Sequence, residues 1–171
     1  MKKDKGDISP DFYIKRFRVF VVVISMLFAM LPATGQNFSV HTVQHISFGA
    51  IYQGAAGGTV KISAKGDRTV SGDVIPLQMG FAYFPAIFEI EAPTGTIISV
   101  MNGADAVLQG SNGGSMLLRL GESLPRTPLS TTVPPPGRTM ITIGGTLEVG
   151  GNATTKPGVY SGSFAIIFNQ E

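Results

Sequence analysis

Short stretches of alternating apolar and polar residues, separated by glycine and proline, run through the chain from residue 36 to its end. Twenty of the 22 glycines and nine of the 11 prolines lie in this part. Strict alternation places successive side chains on opposite faces of a strand, whereas an amphipathic helix needs a period near 3.6. The pattern therefore predicts an all-β domain of short strands and turns, with almost no helix.

The strongest strand prediction covers Met140 to Val149, and seven other segments show weaker or shorter alternation. The inward face of the strong strand is predicted to consist of Ile141, Ile143, Gly145, Leu147 and Val149. Gly144 and Gly145, adjacent inside this strand, indicate a bulge or a close approach of another backbone segment. The other predicted strands are Phe38 to Phe48, Thr59 to Ala64, Thr69 to Leu77, Ala86 to Glu91, Thr96 to Met101, Ser115 to Leu120 and Tyr160 to Phe168.

About eight antiparallel strands joined by turns are typical of an immunoglobulin-like or pilin-like β-sandwich. One long connection, Gly121 to Gly137, is rich in proline, which cannot donate ladder hydrogen bonds, so it is predicted to be a surface loop. The chain contains no cysteine. Apolar burial and hydrogen bonds must therefore stabilise the domain without disulfides, and thiol catalysis is excluded.

The first 35 residues have the composition of an export signal. A basic segment ending at Arg18 precedes the apolar run from Val19 to Leu31. As a helix this run would span about 20 Å, too short for a bilayer core of about 30 Å, so a cleaved signal helix is favoured over a membrane anchor. Small residues before the end of this region predict cleavage between Gly35 and Gln36. Residues 36–171 are then one secreted, periplasmic or cell-surface domain.

The predicted cleavage changes the sign of the net charge. Six of the 13 basic and three of the 11 acidic residues precede residue 36, so seven bases and eight acids remain, with a formal charge of −1. A domain of this charge lacks the basic surface that nucleic acids or anionic membranes attract. Neither nucleic acid nor membrane is therefore predicted as a partner of the mature chain.

Few residues are suited to catalysis or metal binding. Two histidines, His41 and His45, would lie about 13 Å apart on one strand, too far to share a metal ion. Glu89 and Glu91 share a strand face, where a solvated surface is favoured over a pair of catalytic carboxylates. The sequence thus predicts no enzyme, no catalytic residue, no cofactor and no metal site. A hydrolase is the alternative and would require two carboxylates converging in a pocket.

Three aromatic residues lie close together in the middle of the chain, at Phe81, Tyr83 and Phe84. Exposed aromatic side chains bind carbohydrate in many β-sandwich proteins, although tryptophan is absent here. Packing between strands is the alternative interpretation. The three residues are therefore predicted either to contribute to the core or to form a binding edge for a glycan.

Several short motifs follow one another in a fixed order along residues 38 to 169. They include Ile46-Ser47-Phe48-Gly49, Gly57-Gly58-Thr59-Val60, Pro85-Ala86-Ile87-Phe88, Gly144-Gly145-Thr146-Leu147 and Pro157-Gly158-Val159-Tyr160-Ser161-Gly162. Together they resemble the bacterial family called domain of unknown function 4402. The resemblance implies a secreted or surface β-sandwich, broadly similar to pilin-like and spore-coat-like domains, and it implies no catalytic residue.

The first predicted strand has a second interpretation. Its residues Phe38, Val40, Thr42 and Ile46 share one face. The strand could complete its own sheet, which is favoured, or leave it and pair with another copy or another envelope protein by β-strand addition. The predicted function is a non-enzymatic structural or interaction module of the cell envelope, with a fimbria-like fibre subunit as one form. A secreted carbohydrate-binding domain is the alternative.

Overall fold

The computed structural model describes residues 38–171. The predicted signal segment, with Gly35 and Gln36 at its cleavage site, lies outside the described residues. The described part is all-β, and no helix in it could span a membrane. Its strands are β1 (Ser39–Gln44), β2 (Ser47–Phe48), β3 (Ile51–Ile62), β4 (Arg68–Pro76), β5 (Tyr83–Phe84), β6 (Ala86–Glu91), β7 (Ile97–Asn102), β8 (Ala106–Gly110), β9 (Ser115–Leu124), β10 (Leu129–Ser130), β11 (Thr139–Val149), β12 (Tyr160–Ser161) and β13 (Ile166–Gln170).

Strand β11 is the centre of a large antiparallel sheet with the order β1-β6-β11-β9-β8-β12. The first half of β11 pairs with β6, and its second half pairs with β3, which also pairs with β4. Strand β9 pairs with residues of both halves of β11, so it lies along the other side of that strand. The predicted inward face of β11 is confirmed, because all five of its residues are buried.

The close approach predicted at the paired glycines is also confirmed. The register between β11 and β9 shifts between Ile143 and Gly145. A Cβ atom on Gly144 would overlap the carbonyl oxygen of Ile62. Glycine is therefore required at position 144 because the backbone of β3 occupies the space of a side chain.

A smaller sheet, β10-β7-β13, packs against β6 and β11 of the large sheet. Buried residues of β6, β7 and β11 form one core cluster, and apolar residues of β13 pack against it. The rings of Phe88 and Phe168 meet there with centroids 5.3 Å apart. A second cluster joins β3, β4, β8, β9 and the end of β11. The predicted all-β fold of packed antiparallel sheets is thus confirmed.

The hairpin of β3 and β4 is folded back on itself. Eight residue steps along β4 separate Arg68 from Pro76, which pairs with Ile51, a distance of about 26 Å in a straight strand. Nevertheless, Nη1 of Arg68 donates hydrogen bonds to the carbonyl oxygens of Phe48 and Ala50, at 3.2 and 3.5 Å. Because Ala50 directly precedes Ile51, the two ends of the hairpin must lie close together.

The bend lies where the register jumps midway along β3. Gly57 and Gly72 have φ values of 70° and 78° at this position, a conformation that residues with a Cβ atom rarely adopt. A Cβ on Gly72 would lie 2.8 Å from the carbonyl oxygen of Gly57. The two halves of the hairpin pack into one core. The outer half, at the Ile51 and Pro76 end, contributes Val74, and the inner half, next to the β3–β4 turn, contributes Val60.

Two long strand predictions are interrupted in the structure. The predicted strand Phe38 to Phe48 is divided into β1 and β2, which belong to different sheets. The predicted strand Tyr160 to Phe168 is divided into β12 and β13, so that the chain passes from the large sheet to the small one across residues 162–165. Such sheet-to-sheet transitions at bends are common in β-sandwiches.

The predicted surface loop from Gly121 to Gly137 was wrong in part. Strand β9 continues to Leu124, and β10 lies within the segment. Thr131 in this segment is only 1% exposed. Its hydroxyl donates a hydrogen bond to the carbonyl oxygen of Pro93 at 2.6 Å and accepts one from the amide of Thr96 at 3.1 Å. The middle of the proline-rich segment is therefore hydrogen-bonded to the residues that precede β7 of the small sheet.

Candidate functional site

The connection between β4 and β5 exposes apolar side chains to solvent. All six residues from 78 to 83 are exposed, among them Met79 at 63%, Phe81 at 67% and Tyr83 at 42%. Large apolar side chains are normally buried, and contiguous exposed ones indicate a binding surface more often than single ones do. This connection is therefore the first candidate for a functional site.

Contacts with β2 and β4 hold the exposed connection in place. Ser47 Oγ donates a hydrogen bond to the carbonyl oxygen of Ala82 at 2.8 Å. The guanidinium carbon of Arg68 lies 4.2 Å from the centroid of the Tyr83 ring, a cation–π geometry. Because Arg68 is itself bound to backbone carbonyls, the orientation of Tyr83 is fixed before any partner arrives.

The outer half of the β3–β4 hairpin, at the Ile51 and Pro76 end, exposes two more apolar side chains. Tyr52 and Ile75 are direct cross-strand partners and are 57% and 55% exposed, so their side chains lie side by side on one face. The amide of Leu77 donates a hydrogen bond to the carbonyl oxygen of Ala50 at 3.0 Å, which joins the start of the connection to the start of β3. We refer to five exposed residues of the hairpin, the connection and β5 together as the aromatic face: Tyr52, Ile75, Met79, Phe81 and Tyr83.

The predicted aromatic triplet is only partly present in this face. Phe81 and Tyr83 belong to it. Phe81 is 67% exposed and is therefore not packed in the core, whereas Phe84 is half-buried. Sequence reasoning missed Tyr52 and Ile75, which are exposed cross-strand partners just before the connection. One signal was available in the sequence, since residues 74 to 88 contain no charged side chain.

A shallow groove of about 480 Å³ lies on the outer surface of the large sheet. Thr59, Glu148, Leu117 and Val107 form one row across its floor, because each is the register partner of the next. Arg119 lies 3.5 Å from the Glu148 carboxylate. The groove therefore presents hydroxyl, carboxylate and aliphatic groups, but none of the exposed aromatic rings found on the aromatic face.

Two pairs of carboxylates among the described residues each share one arginine. Arg119 contacts Asp105 at 3.1 Å as well as Glu148. Arg138 contacts Glu89 and Glu91, the two carboxylates that share a strand face, at 3.2 and 3.5 Å. In both cases the guanidinium contacts both carboxylates, which is the arrangement of a surface ion pair.

Metal-ligating side chains are dispersed over the described residues. Within residues 38–171, no three histidine, cysteine, aspartate or glutamate side chains lie close enough to bind one ion. His41 contacts Ser39 Oγ through Nε2 at 3.1 Å. His45 lies in the break between β1 and β2, so the two histidines are not on one continuous strand.

The N-terminal strand pairs inside its own chain. Strand β1 is antiparallel to β6 from Ser39 to Gln44, with an irregularity after Thr42. Of the residues predicted to share one face, Phe38, Val40 and Ile46 pack against the core, and Thr42 is exposed. Strand β1 is also the terminal strand of the sheet.

The family model described as Domain of unknown function (DUF4402) matches residues 38–169. No curated protein and no solved structure matches the chain. The matched range begins one residue before β1 and ends inside β13, so it includes both core clusters and the aromatic face. The chain belongs to the DUF4402 family.

Proposed function

We propose that this protein is an exported, non-enzymatic interaction module of the bacterial cell envelope that binds its partner through the aromatic face. The exposure of Phe81 at 67% beside Met79 at 63% is the observation that supports this best. These side chains lie on a segment that is hydrogen-bonded to Ser47 of β2 and to Ala50, just before β3. The order of the surrounding backbone reduces the entropy that binding would cost.

The composition of the aromatic face favours a protein partner. The cores of protein interfaces are rich in tyrosine, phenylalanine, methionine and arginine, and poor in lysine, aspartate and glutamate. The aromatic face contains the first three types and is bordered by Arg68. Residues 74 to 88 add no charge. A structural or assembly role in the envelope is therefore better supported than recognition of a highly charged ligand.

The test compares two double variants that remove similar amounts of exposed apolar surface. Met79→Ser with Phe81→Ser alters the aromatic face, and Val107→Ser with Val159→Ser is the control, since these valines are 50% and 75% exposed elsewhere. The mature protein is mixed with envelopes isolated from a strain lacking its gene and then sedimented. We expect at least tenfold weaker retention of the first variant and no change in the control. Equal retention of all three proteins would refute the proposal.

Carbohydrate binding is the second candidate, because Phe81 and Tyr83 are exposed aromatic rings and Arg68 stacks on one of them. Aromatic rings can pack against the apolar faces of sugars, and arginine can donate hydrogen bonds to hydroxyl groups. A glycan array should then show a signal that Tyr83→Ala reduces. Retention on envelopes without any glycan signal would favour the protein partner.

An enzymatic function would contradict the proposal directly. Hydrolysis of a glycan, ester or peptide by the purified protein, lost on substitution of one carboxylate or serine, would show catalysis. The groove would be examined first, because Glu148 lies in its wall and could supply a catalytic carboxylate. Since the proposed function is not enzymatic, we expect the wild-type protein and Glu148→Gln to show the same background rate of hydrolysis in these assays.

A further inference from the structure

Backbone hydrogen bonds at the two ends of β13 fix which of its residues bond to β7. The amide of Gly103 donates to the carbonyl oxygen of Ala165, and the amide of Glu171 donates to the carbonyl oxygen at the start of β7, both at 2.9 Å. Both pairs continue the register of the two strands. Hydrogen-bonded and non-hydrogen-bonded pairs alternate along an antiparallel ladder, so the backbone groups of Ile166 and Phe168 point away from β7.

This side of β13 is an open edge of the small sheet, whose order is β10-β7-β13. Among residues 38–171, no hydrogen bond is formed by the amide or the carbonyl oxygen of Ile166 or Phe168. Their side chains face the core but are only partly buried, whereas Ile98 of β7, on the same side of the sheet, is fully buried. A strand added at this edge would therefore pair four backbone groups and cover two partly exposed apolar side chains.

Other edge strands of the described sheets carry features that hinder pairing with a further strand, such as charge, proline, irregularity or short length. Strand β4 contains Arg68, Asp73 and Pro76. The register of β1 is irregular after Thr42, and β10 and β12 have two residues each. Strand β13 has five residues with neither charge nor proline, and its register with β7 is regular. Of these edges, β13 is therefore the one best suited to accept another strand.

We infer that β13 pairs antiparallel with β13 of a second copy of this chain about a twofold axis, so that two three-stranded sheets form one sheet of six strands. The inference goes beyond the proposed function, because it assigns a second surface that shares no residue with the aromatic face. With Ile167 on the axis, Ile166 of each copy lies opposite Phe168 of the other copy. Each of these two pairs can form two backbone hydrogen bonds, which satisfies all the open groups of both residues.

The exposed side chains of the small sheet favour a second copy over a strand of another protein. Ile167 and Met101 are register partners on the outer face and are 51% and 56% exposed. In the twofold pair the two Ile167 side chains meet at a non-hydrogen-bonded position, where side chains approach most closely. Strands β7, β10 and β13 contain no charged residue, so no like charges oppose each other and no charge selects a different partner. One self-complementary edge is sufficient for a closed dimer.

Sedimentation equilibrium of the mature protein from about 10 μM to about 1 mM tests the pairing, and the average mass should rise from one chain to two. Ile167→Lys places two ammonium groups opposite each other across the axis and should weaken the association by roughly tenfold or more. Met101→Lys is the matched control on the same exposed face. Its counterpart lies three strand spacings away, about 14 Å, which exceeds the screening length of about 8 Å. This control should weaken the association by less than about twofold, and circular dichroism should show unchanged β structure in both variants.

Amide hydrogen exchange followed by NMR identifies the edge itself. In the proposed register the amides of Ile166 and Phe168 become hydrogen-bonded, so their exchange should slow by roughly threefold or more between the lowest and the highest concentration. The amide of Ile167 already bonds to β7 in the single chain and should change less. Association through another surface would not produce this difference between neighbouring residues.

Several results would overturn the inference. They are a protein that stays monomeric up to about 1 mM, a mass that rises beyond two chains, and exchange of the Ile166 and Phe168 amides that does not depend on concentration. Dimers that Phe81→Ser weakens and Ile167→Lys does not would also contradict it, because they would form through the aromatic face. Loss of envelope retention is a separate result, since Phe81→Ser should leave the β13 dimer intact. Either the inference or the proposed function can therefore fail without the other.

Discussion

Replacement of Gly57 by alanine tests the fold-back of the β3–β4 hairpin most directly. Gly57 has a φ of 70° and lies at the bend, against the end of β11. A Cβ atom there would overlap the carbonyl oxygen of Val149 and lie 2.6 Å from the carbonyl carbon of Gly150. Both obstacles are backbone atoms, which cannot rotate away as a flexible side chain can.

Two independent terms determine the expected loss of stability. Placing alanine in the left-handed region costs roughly 1–2 kcal/mol, and inserting a methyl group into a closely packed site costs roughly 1–3 kcal/mol. Gly57→Ala should therefore lower the free energy of unfolding by about 3 kcal/mol. Gly80 has a similar φ of 76° but no atom within 4 Å of an added Cβ, so Gly80→Ala should show the first term alone. Gly144→Ala should show the second, because its φ is not in the left-handed region.

Equilibrium urea unfolding followed by circular dichroism measures all three variants. With a denaturant dependence of about 2 kcal/mol/M, Gly57→Ala should lower the midpoint by about 1.5 M and Gly80→Ala by about 0.5–1 M. The slope should not change if unfolding remains two-state. Equal losses in Gly57→Ala and Gly80→Ala would show that the contact with β11 has no energetic role, and the reasoning from the bend would be wrong.

Three further predictions concern the termini of strands and the export segment. Tyr160→Phe removes a hydroxyl that accepts from the amide and donates to the carbonyl of Lys156, at 2.9 and 2.7 Å, and should lower the unfolding free energy by about 1–2 kcal/mol in urea titrations. Thr131→Val removes a buried hydroxyl that hydrogen-bonds the backbone of Pro93 and Thr96 and should cost about 1–3 kcal/mol by the same measurement, whereas the exposed Thr132→Val should change it by less than about 0.5 kcal/mol. N-terminal sequencing of exported protein should find a start at or near Gln36, and an intact N-terminal methionine would contradict cleavage.

Local alternation predicted the strands well where one strand has one buried face along its whole length. Strand β11 is the clearest example, because its inward residues from Ile141 to Val149 alternate without interruption. Strand β6 also begins and ends where the pattern predicts, from Ala86 to Glu91. In both strands the two faces have constant and different environments. A period of two is then visible in the sequence.

Prediction failed where the chain changes sheets or where burial comes from a distant segment. The run from Tyr160 to Phe168 keeps a regular pattern, although β12 and β13 face different cores. Ile167, an apolar residue at a position that alternation assigns to the outward face, is 51% exposed. The proline-rich segment contains the buried Thr131, whose partners lie 35 or more positions earlier in the chain. Alternation is a local property and does not identify such distant partners.

The candidate binding face depends on the same backbone bend that makes it hard to predict. In a straight hairpin, Tyr52 and Ile75 would lie at the far end from Arg68, about 23 Å away. The bend at Gly57 and Gly72 brings that end back to Arg68, which then binds the carbonyl oxygens before β3 and stacks on Tyr83. Two residues of the aromatic face come from the folded-back ribbon, two from the connection that follows it, and Tyr83 from β5. The glycines at the bend are therefore required both for the core and for the position of Arg68 beside Tyr83, although neither glycine belongs to the aromatic face.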